Sequence, residues 1–434
     1  MSTQPLPLLT KSSSSRTERE RQDKPNSQSL VWWAAASLAV IVGFSRISYG
    51  LLLPSIRANL GGAYNAYGMV SMANFAGYLL GTLVVPLLLT RLHKQIMLNS
   101  AALLLMNGAM VGSALSLNLV QLSMWRFLVG FFSAIALVLT LSLTLERVEA
   151  EKRGRASGIV WMGASLGVSL SGLVAPAILN SGSPLAWRWV WIVMGASGGA
   201  AVIGLHRVLR IHNDQAPPSG EDRINKQKAH AEHAVVSLLI ELLQPPGFLF
   251  ATLSYVGYGF GYIIYLTFFV SLVVEQGLPS VLVGLIWAAM GIAGAVSGVV
   301  WGWAIDRLPT GFTLSLALVL GALGALSVLT HHLLLEAIGA ALFGLSVFLG
   351  PPLIVTFLLR RVIPAERFPS SYSLLNTLFG IGQILGPLVG GFIVEQRGLV
   401  TGTAFTAVVL WGAALLALSY GMMQHLGYKQ NATV

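Results

Sequence analysis

Runs of about 20 apolar residues, each long enough to cross ~30 Å of hydrocarbon as a helix, recur along most of this chain. Twelve such runs are expected, at 32–53, 67–90, 96–116, 119–145, 155–179, 187–210, 247–274, 280–303, 311–330, 333–359, 368–394 and 402–424. A fold built from them is an all-α polytopic membrane protein. Only helices satisfy every backbone group within one spanning segment. Composition agrees, since charged residues make up 10% of the 434, against about 25% in soluble domains.

The longest polar stretch after the start lies at 211–244 and carries Pro217-Pro218 and the run from Glu221 to Glu232. It divides the chain into a six-helix half at 31–210 and a second at 245–426, with 211–244 as the linker. Residues 1–30 are polar and mixed in charge, and read as a disordered cytoplasmic tail without a signal-peptide pattern. Residues 427–434 form a second, short cytoplasmic tail. An apolar stretch from Val235 to Leu243 is expected to lie along the membrane surface.

Charge placement gives orientation, because short cytoplasmic loops are enriched in Lys and Arg. Of the 26 Lys and Arg, the side opposite the termini holds only Arg57, Arg188 and Arg397, and two more, Arg46 and Arg126, lie within spans. Both termini are therefore expected in the cytoplasm, with the protein in the plasma (inner) membrane. The net charge of +10 follows from this bias. No basic stripe interleaved with aromatics accompanies it, so no nucleic-acid partner is expected.

Arg46 sits in GFSRISYGLLLP, Gly43 to Pro54, inside the first apolar run. A cation there costs about 2.5–3.5 kcal/mol on the insertion scale, so such residues mark water-filled cavities or partners. Two readings stand: Arg46 lines a central cavity, or it snorkels to a headgroup or holds helices together. On the fourth span Arg126, Ser133, Thr140 and Thr144 fall within an arc of about 40° and should face inward. On the seventh, Tyr255, Tyr258, Tyr262 and Tyr265 share an arc of about 80° with Phe269 inside it. That stripe is either a wet, ligand-lined wall or an aromatic packing seam. Asn74, Asn376 and Gln383 are polar at membrane depth and read as interhelical bonds.

No carboxylate is expected at the membrane midplane; Glu146, Glu275, Asp306, Glu336 and Glu395 come nearest. Two intramembrane arginines without acidic partners imply a positive cavity, for which a carboxylate or phosphate is the natural ligand. Arg126 has a competing reading as a support for gating through backbone carbonyls.

Enzyme classes find little support. There is no cysteine, no His-Glu-x-x-His spacing, and the histidines lie in loops or at span ends, so neither metal site nor cofactor is expected. No Gly-x-x-x-x-Gly-Lys-Ser/Thr loop exists to cradle ATP, which disfavours a primary pump and leaves an ion or proton gradient as the energy source.

Internal offsets align Tyr49 with Tyr265, Gly61 with Gly277, Gly68 with Gly284, and Arg91-Leu92 with Arg307-Leu308. Another aligns Gly163, Gly167 and Gly172 with Gly382, Gly386 and Gly391. After the eighth span stands GWAIDR, with Gly302, Asp306 and Arg307. The eleventh span reads GIGQILGPLVGG, with Gly386, Pro387, Gly390 and Gly391, and the fourth holds Arg126 with Gly130. Over residues 31–426 the chain resembles the major facilitator superfamily, and GFSRISYGLLLP with GYLLG at Gly77–Gly81 is most similar to its YbfB/YjiJ-type branch.

That resemblance implies twelve helices in two pseudo-symmetric halves that rock about a midplane site on helices one, four, seven and ten. The substrate cavity would take Arg46, Tyr49, Arg126, Tyr255, Tyr258, Tyr262 and Tyr265. Gating and coupling would fall to Arg91, Asp306, Arg307, Gly386, Pro387, Gly390 and Gly391, with the Asp306-Arg307 loop locking the cytoplasmic side. The chain departs from the pattern at Pro86 and Thr90, which stand where Gly302 and Asp306 stand in the second half. Val168 stands where Pro387 does.

The function expected is a monomeric secondary carrier moving a small solute, an organic anion or zwitterion, across the lipid bilayer. Its alternatives are an efflux carrier for lipophilic compounds and a transport-inactive sensor or scaffold. Glycines of helices five and eleven should allow close approach, and Pro54, Pro176, Pro351-Pro352 and Pro387 should bend spans or cap their ends.

Overall fold

The computed structural model describes residues 27–92, 94–213, 242–364 and 367–432, with side chains to 426. Most of the expected linker (214–241) and of the first tail (1–26) lies outside the described residues, as do the side chains of the second tail and most of the stretch from Val235 to Leu243.

Helix α1 runs Ser27–Leu60, followed by α2 Tyr64–Arg91, α3 Gln95–Ala114, α4 Leu119–Glu146, α5 Arg153–Leu179 and α6 Ala186–Asn213. The second set is α7 Phe248–Glu275, α8 Ser280–Arg307, α9 Thr310–Leu326 and α10 Leu333–Val362. The last segment, Phe368–Ala432, is one continuous run of 65 residues. Eleven separate helical segments among the described residues therefore have a span's length and apolarity, where twelve were expected. As one straight rod the last would measure ~98 Å at 1.5 Å per residue, about three times the hydrocarbon core. Gly398, at φ 84° and ψ 165°, breaks it, a conformation open to glycine and closed to most residues. The legs on either side are α11 (368–397) and α12 (399–432).

Surfaces turned outward are apolar; Val299, for instance, is 77% exposed and Val408 65%. In water such faces would be a liability; against lipid tails they cost nothing. Inside the first set, α2 packs on α4, α3 on α4 and α6, and α1 on α5. In the second, α7 packs on α11, α9 on α12, and α8 and α9 on α10. Small residues make these approaches close: a Cβ on Gly77 would overlap the Phe127 carbonyl of α4, and one on Gly386 the Phe260 carbonyl of α7.

Between the two sets the contacts are α1 with α7, α2 with α11 and α5 with α8. They lie between the middle of the bundle and the end that carries the α1–α2, α7–α8 and α11–α12 turns. Gly50 meets the backbone of Leu266 and Thr267, and Gly68 meets Pro387 and Gly391. Ser71 Oγ lies 3.4 Å from Thr267 Oγ1, and the Trp287 indole donates to Ser171 Oγ at 3.1 Å. Pro387 and Gly391, expected at a gate, therefore sit on the interface between the sets. At the opposite end, where Arg91 and Arg307 terminate their helices, Asp306, Arg307 and Arg91 are exposed. Arg307 turns back on its own helix, with its guanidinium over Trp303 at 4.2 Å. Among the described residues no ion pair joins Asp306 or Arg307 to the other set in this conformation.

Two local features shape α1. Pro54 lies within the helix, which continues to Leu60. Upstream, Ala39–Ile47 is π-helical over 9 residues, although such geometry is usually a single-turn bulge and gathers at functional sites. Ser48 Oγ donates to the Gly43 carbonyl, five residues back, at 2.8 Å. Close packing of Gly43 on the Gly167 backbone of α5 leaves no room there for a side chain.

Candidate functional site

Arg46 lies in the last turn of the π-helical stretch and is half-buried. Its guanidinium carbon stands 3.8 Å from the centre of the Tyr78 ring and 5.0 Å from that of Phe75, both on α2. Its Nε is buried without a hydrogen-bond partner. No carboxylate pairs with it among the described residues, so aromatic faces are what offsets its charge. Across the interface, the Tyr262 hydroxyl of α7 is within electrostatic reach of both Arg46 and Tyr78.

Tyr262 is held by the Gln383 amide of α11, which donates to its hydroxyl. Phe379, one turn earlier on α11, stacks on Tyr255, Tyr258 and Tyr262 with centroids 4.7, 5.4 and 6.1 Å away. Tyr255 donates to Asn376 Oδ1 at 3.3 Å, and Tyr258 donates to the Val347 carbonyl of α10. Tyr265 stacks on Phe343 at 3.9 Å and on Phe269 at 4.5 Å. Tyr255, Tyr258 and Tyr265 are buried and packed in this way, which is the seam reading; Tyr262 alone of the four is partly open.

Arg126 lies within electrostatic reach of Arg46 but is enclosed where Arg46 is half-open. Arg126 is 1% exposed, enclosed by Tyr49 of α1 and Trp191 of α6 at 5.3 and 5.4 Å. Its Nη2 reaches the carbonyl of Arg46 at 3.5 Å, so it touches the π-helical backbone. Asn74 of α2 donates to the Arg126 carbonyl at 2.8 Å. Ser133, Thr140 and Thr144 are fully buried along the same face of α4. Tyr49 is buried too, its hydroxyl donating to the Tyr67 carbonyl at 2.9 Å.

Sequence reasoning missed Tyr78, Phe75 and Phe379, which surround Arg46 and Tyr262. Tyr78 was within reach of helical arithmetic: it follows Asn74, already singled out, by one turn. Nothing local marks Phe379. What the site offers chemically is one half-open guanidinium on aromatic faces of α2, within electrostatic reach of the Tyr262 phenol of α7, which the Gln383 amide of α11 holds.

Comparisons with known proteins follow the same lines. Residues 38–424 match the family described as "Uncharacterised MFS-type transporter YbfB". A gallate transporter of Pseudomonas putida is 26% identical over 409 residues, covering 87% of this chain and 88% of that protein. The uncharacterized transporter mfc1 of Schizosaccharomyces pombe is 29% identical over 132 residues, and the MFS-type transporter ucsD of Acremonium sp 31% over 201. These matches span only 26% and 32% of those two longer proteins, and 30% and 43% of this chain. Among solved structures, the nucleoside transporter NupG aligns with a TM-score of 0.70 at 12% identity, covering 91% of this chain and 99% of that one. An inward-open xylose transporter, XylE from E. coli, gives 0.70 at 14%, covering 91% and 96%. At such identities these two speak to the fold alone. Because the family model covers nearly all of the helical bundle, the chain belongs to the YbfB-type family of major facilitator superfamily transporters.

Proposed function

We propose that this transporter carries a small organic anion, an aromatic carboxylate, by alternating access, with Arg46 as the carboxylate ligand. The observation that carries the reading is the Arg46 guanidinium itself: half-buried, within electrostatic reach of Tyr262 on the other helix set, and without an acidic partner among the described residues. A guanidinium on a ring keeps its in-plane N–H groups free for bidentate bonding to a carboxylate. The rings of Phe75, Tyr78 and Phe379 give an aromatic solute flat surfaces to stack on. Similarity to a gallate transporter over most of both chains supports the same class.

Tyr262 and Gln383 would bind polar substituents on the far side of such a solute. With both termini in the cytoplasm of a plasma (inner) membrane, the joined end is the outer one, and the site would exchange with the cytoplasm. An ion or proton gradient would drive the cycle, and the protein would act as a monomer.

Thermal unfolding of purified protein tests the reading, with gallate, benzoate, betaine and tetraphenylphosphonium as probes on wild type and Arg46→Gln. At 100 times its dissociation constant a ligand adds about 2.7 kcal/mol to the folded state. Stabilisation by the carboxylates that disappears in Arg46→Gln supports the assignment. Equal stabilisation of both proteins by the cation would replace it with efflux of lipophilic compounds.

A further inference from the structure

Glu336 stands near a span end, where its side chain is 1% exposed and neither carboxylate oxygen has a hydrogen-bond partner. It lies in the first turn of α10, where Leu333, Leu334 and Leu335 face outward and Glu336, Gly339, Ala340 and Phe343 face the bundle. Spacing at i, i+3, i+4 and i+7 puts the acid on the packed face. Around it, Gly339 lies against Ser327 and the Gly324 carbonyl, which closes α10 onto α9. Phe343, two turns along the same face, covers Tyr265.

The titratable groups within electrostatic reach are Tyr265 on α7 and the exposed His331 and His332 in the α9–α10 turn. Helix α9 carries none, and α8 carries none before Asp306. The Tyr265 hydroxyl is itself buried without a partner. An ionised carboxylate so placed would have neither cation nor donor bound to it. Burying one costs far more than neutralising it.

We infer that Glu336 is a proton-binding site, loaded from the end of the molecule that carries His331 and His332, and that closure of that end requires its proton. The inference rests on the alternating-access reading, since it assigns the proton to one of two conformations. As that end opens and water reaches Glu336, the O–H bond breaks and the proton passes to water by way of the His331-His332 turn. As it closes, the carboxylate takes a proton from the same water before it is buried. A metal cation is a poor substitute, because it would need several oxygen ligands, whereas the packed face of α10 offers Gly, Ala and Phe and the nearby Ser327 hydroxyl is already bonded to the Gly324 carbonyl.

Infrared spectroscopy of the purified full chain reads this without any solute. At neutral pH the wild type should show a carboxylic acid C=O band that is absent in Glu336→Gln and in Glu336→Met and unchanged between sodium and choline buffers. A missing band, or one erased by sodium, overturns the site. Closure is read with cysteine pairs, which the cysteine-free chain accepts without background. Labels on Ser183→Cys and Thr401→Cys, in a His331→Asn, His332→Gln background, should separate as pH rises in wild type at position 336 and stay together in the Gln and Met variants. An identical pH response in all three overturns the coupling. Both readouts are independent of Arg46, so a failure of the carboxylate assignment leaves them interpretable.

Discussion

The backbone N–H of Tyr64, at the start of α2, donates to the Glu395 carboxylate near the end of α11 across 2.6 Å. An acid of the second helix set thus caps a helix of the first, where the dipole favours negative charge. The same tyrosine donates its hydroxyl to Glu275 at 3.1 Å and lies under Arg57 at 4.0 Å. Four residues from two sets make one exposed latch at the joined end, 331 positions apart in sequence between Tyr64 and Glu395.

Glu395→Gln should loosen that end. A cap contributes roughly 0.5–2 kcal/mol, and solvent exposure places this one toward the lower bound. The fraction of molecules separated at the joined end should rise two- to fivefold by double-label distance measurement between positions 183 and 401. An unchanged distribution would make the bond incidental to closure.

Gly68 packs so tightly on α11 that a Cβ would overlap the Pro387 carbonyl oxygen. Gly68→Val should therefore hold the two sets apart at that end. The expected result is normal expression, a long label distance, and transport reduced at least tenfold. Gly302, around which nothing lies within reach of a Cβ, supplies the control: Gly302→Ala should leave the distance as it was.

The tyrosines of α7 separate by what their hydroxyls do. Removing the Tyr258 hydroxyl strands the Val347 carbonyl and should cost about 1–3 kcal/mol, visible as a lower melting temperature. Tyr265→Phe removes a hydroxyl that has no partner and should be neutral or stabilising. Tyr262→Phe should keep the melting temperature and weaken solute affinity five- to tenfold, about 1 kcal/mol for one hydrogen bond. Three equal melting shifts would reduce the stripe to a packing seam throughout.

The helices were legible in the sequence because hydrocarbon forbids most other backbones, and their glycine contacts because small residues at depth have few other uses. The break between α11 and α12 was legible as an interrupted run, though one glycine accomplishes it inside a continuous helix. The π-helical turns before Arg46 were not legible, since i→i+5 bonding leaves no periodicity that local residues betray. Nor was the pairing of Tyr64 with Glu395, or of Phe379 with three tyrosines, which depends on how two distant helices cross. Glu336 stands near a span end as its position implies, but its burial was not legible, because that depends on which face of α10 packs against the bundle.

Arg46→Lys separates charge from shape at the candidate site. Lysine keeps the positive charge but loses the planar fork and its stack on Tyr78. If a carboxylate is held bidentately, affinity for gallate or benzoate should fall at least tenfold in Arg46→Lys and vanish in Arg46→Gln. If Arg46 only sets a positive potential, lysine should suffice and the two proteins should bind alike. The π-helical segment adds a structural check, because the Arg46 carbonyl takes its bond from Arg126 through the backbone and is untouched by either substitution. Melting temperatures of both variants without solute should therefore match wild type closely, so that lost binding reports on the guanidinium itself.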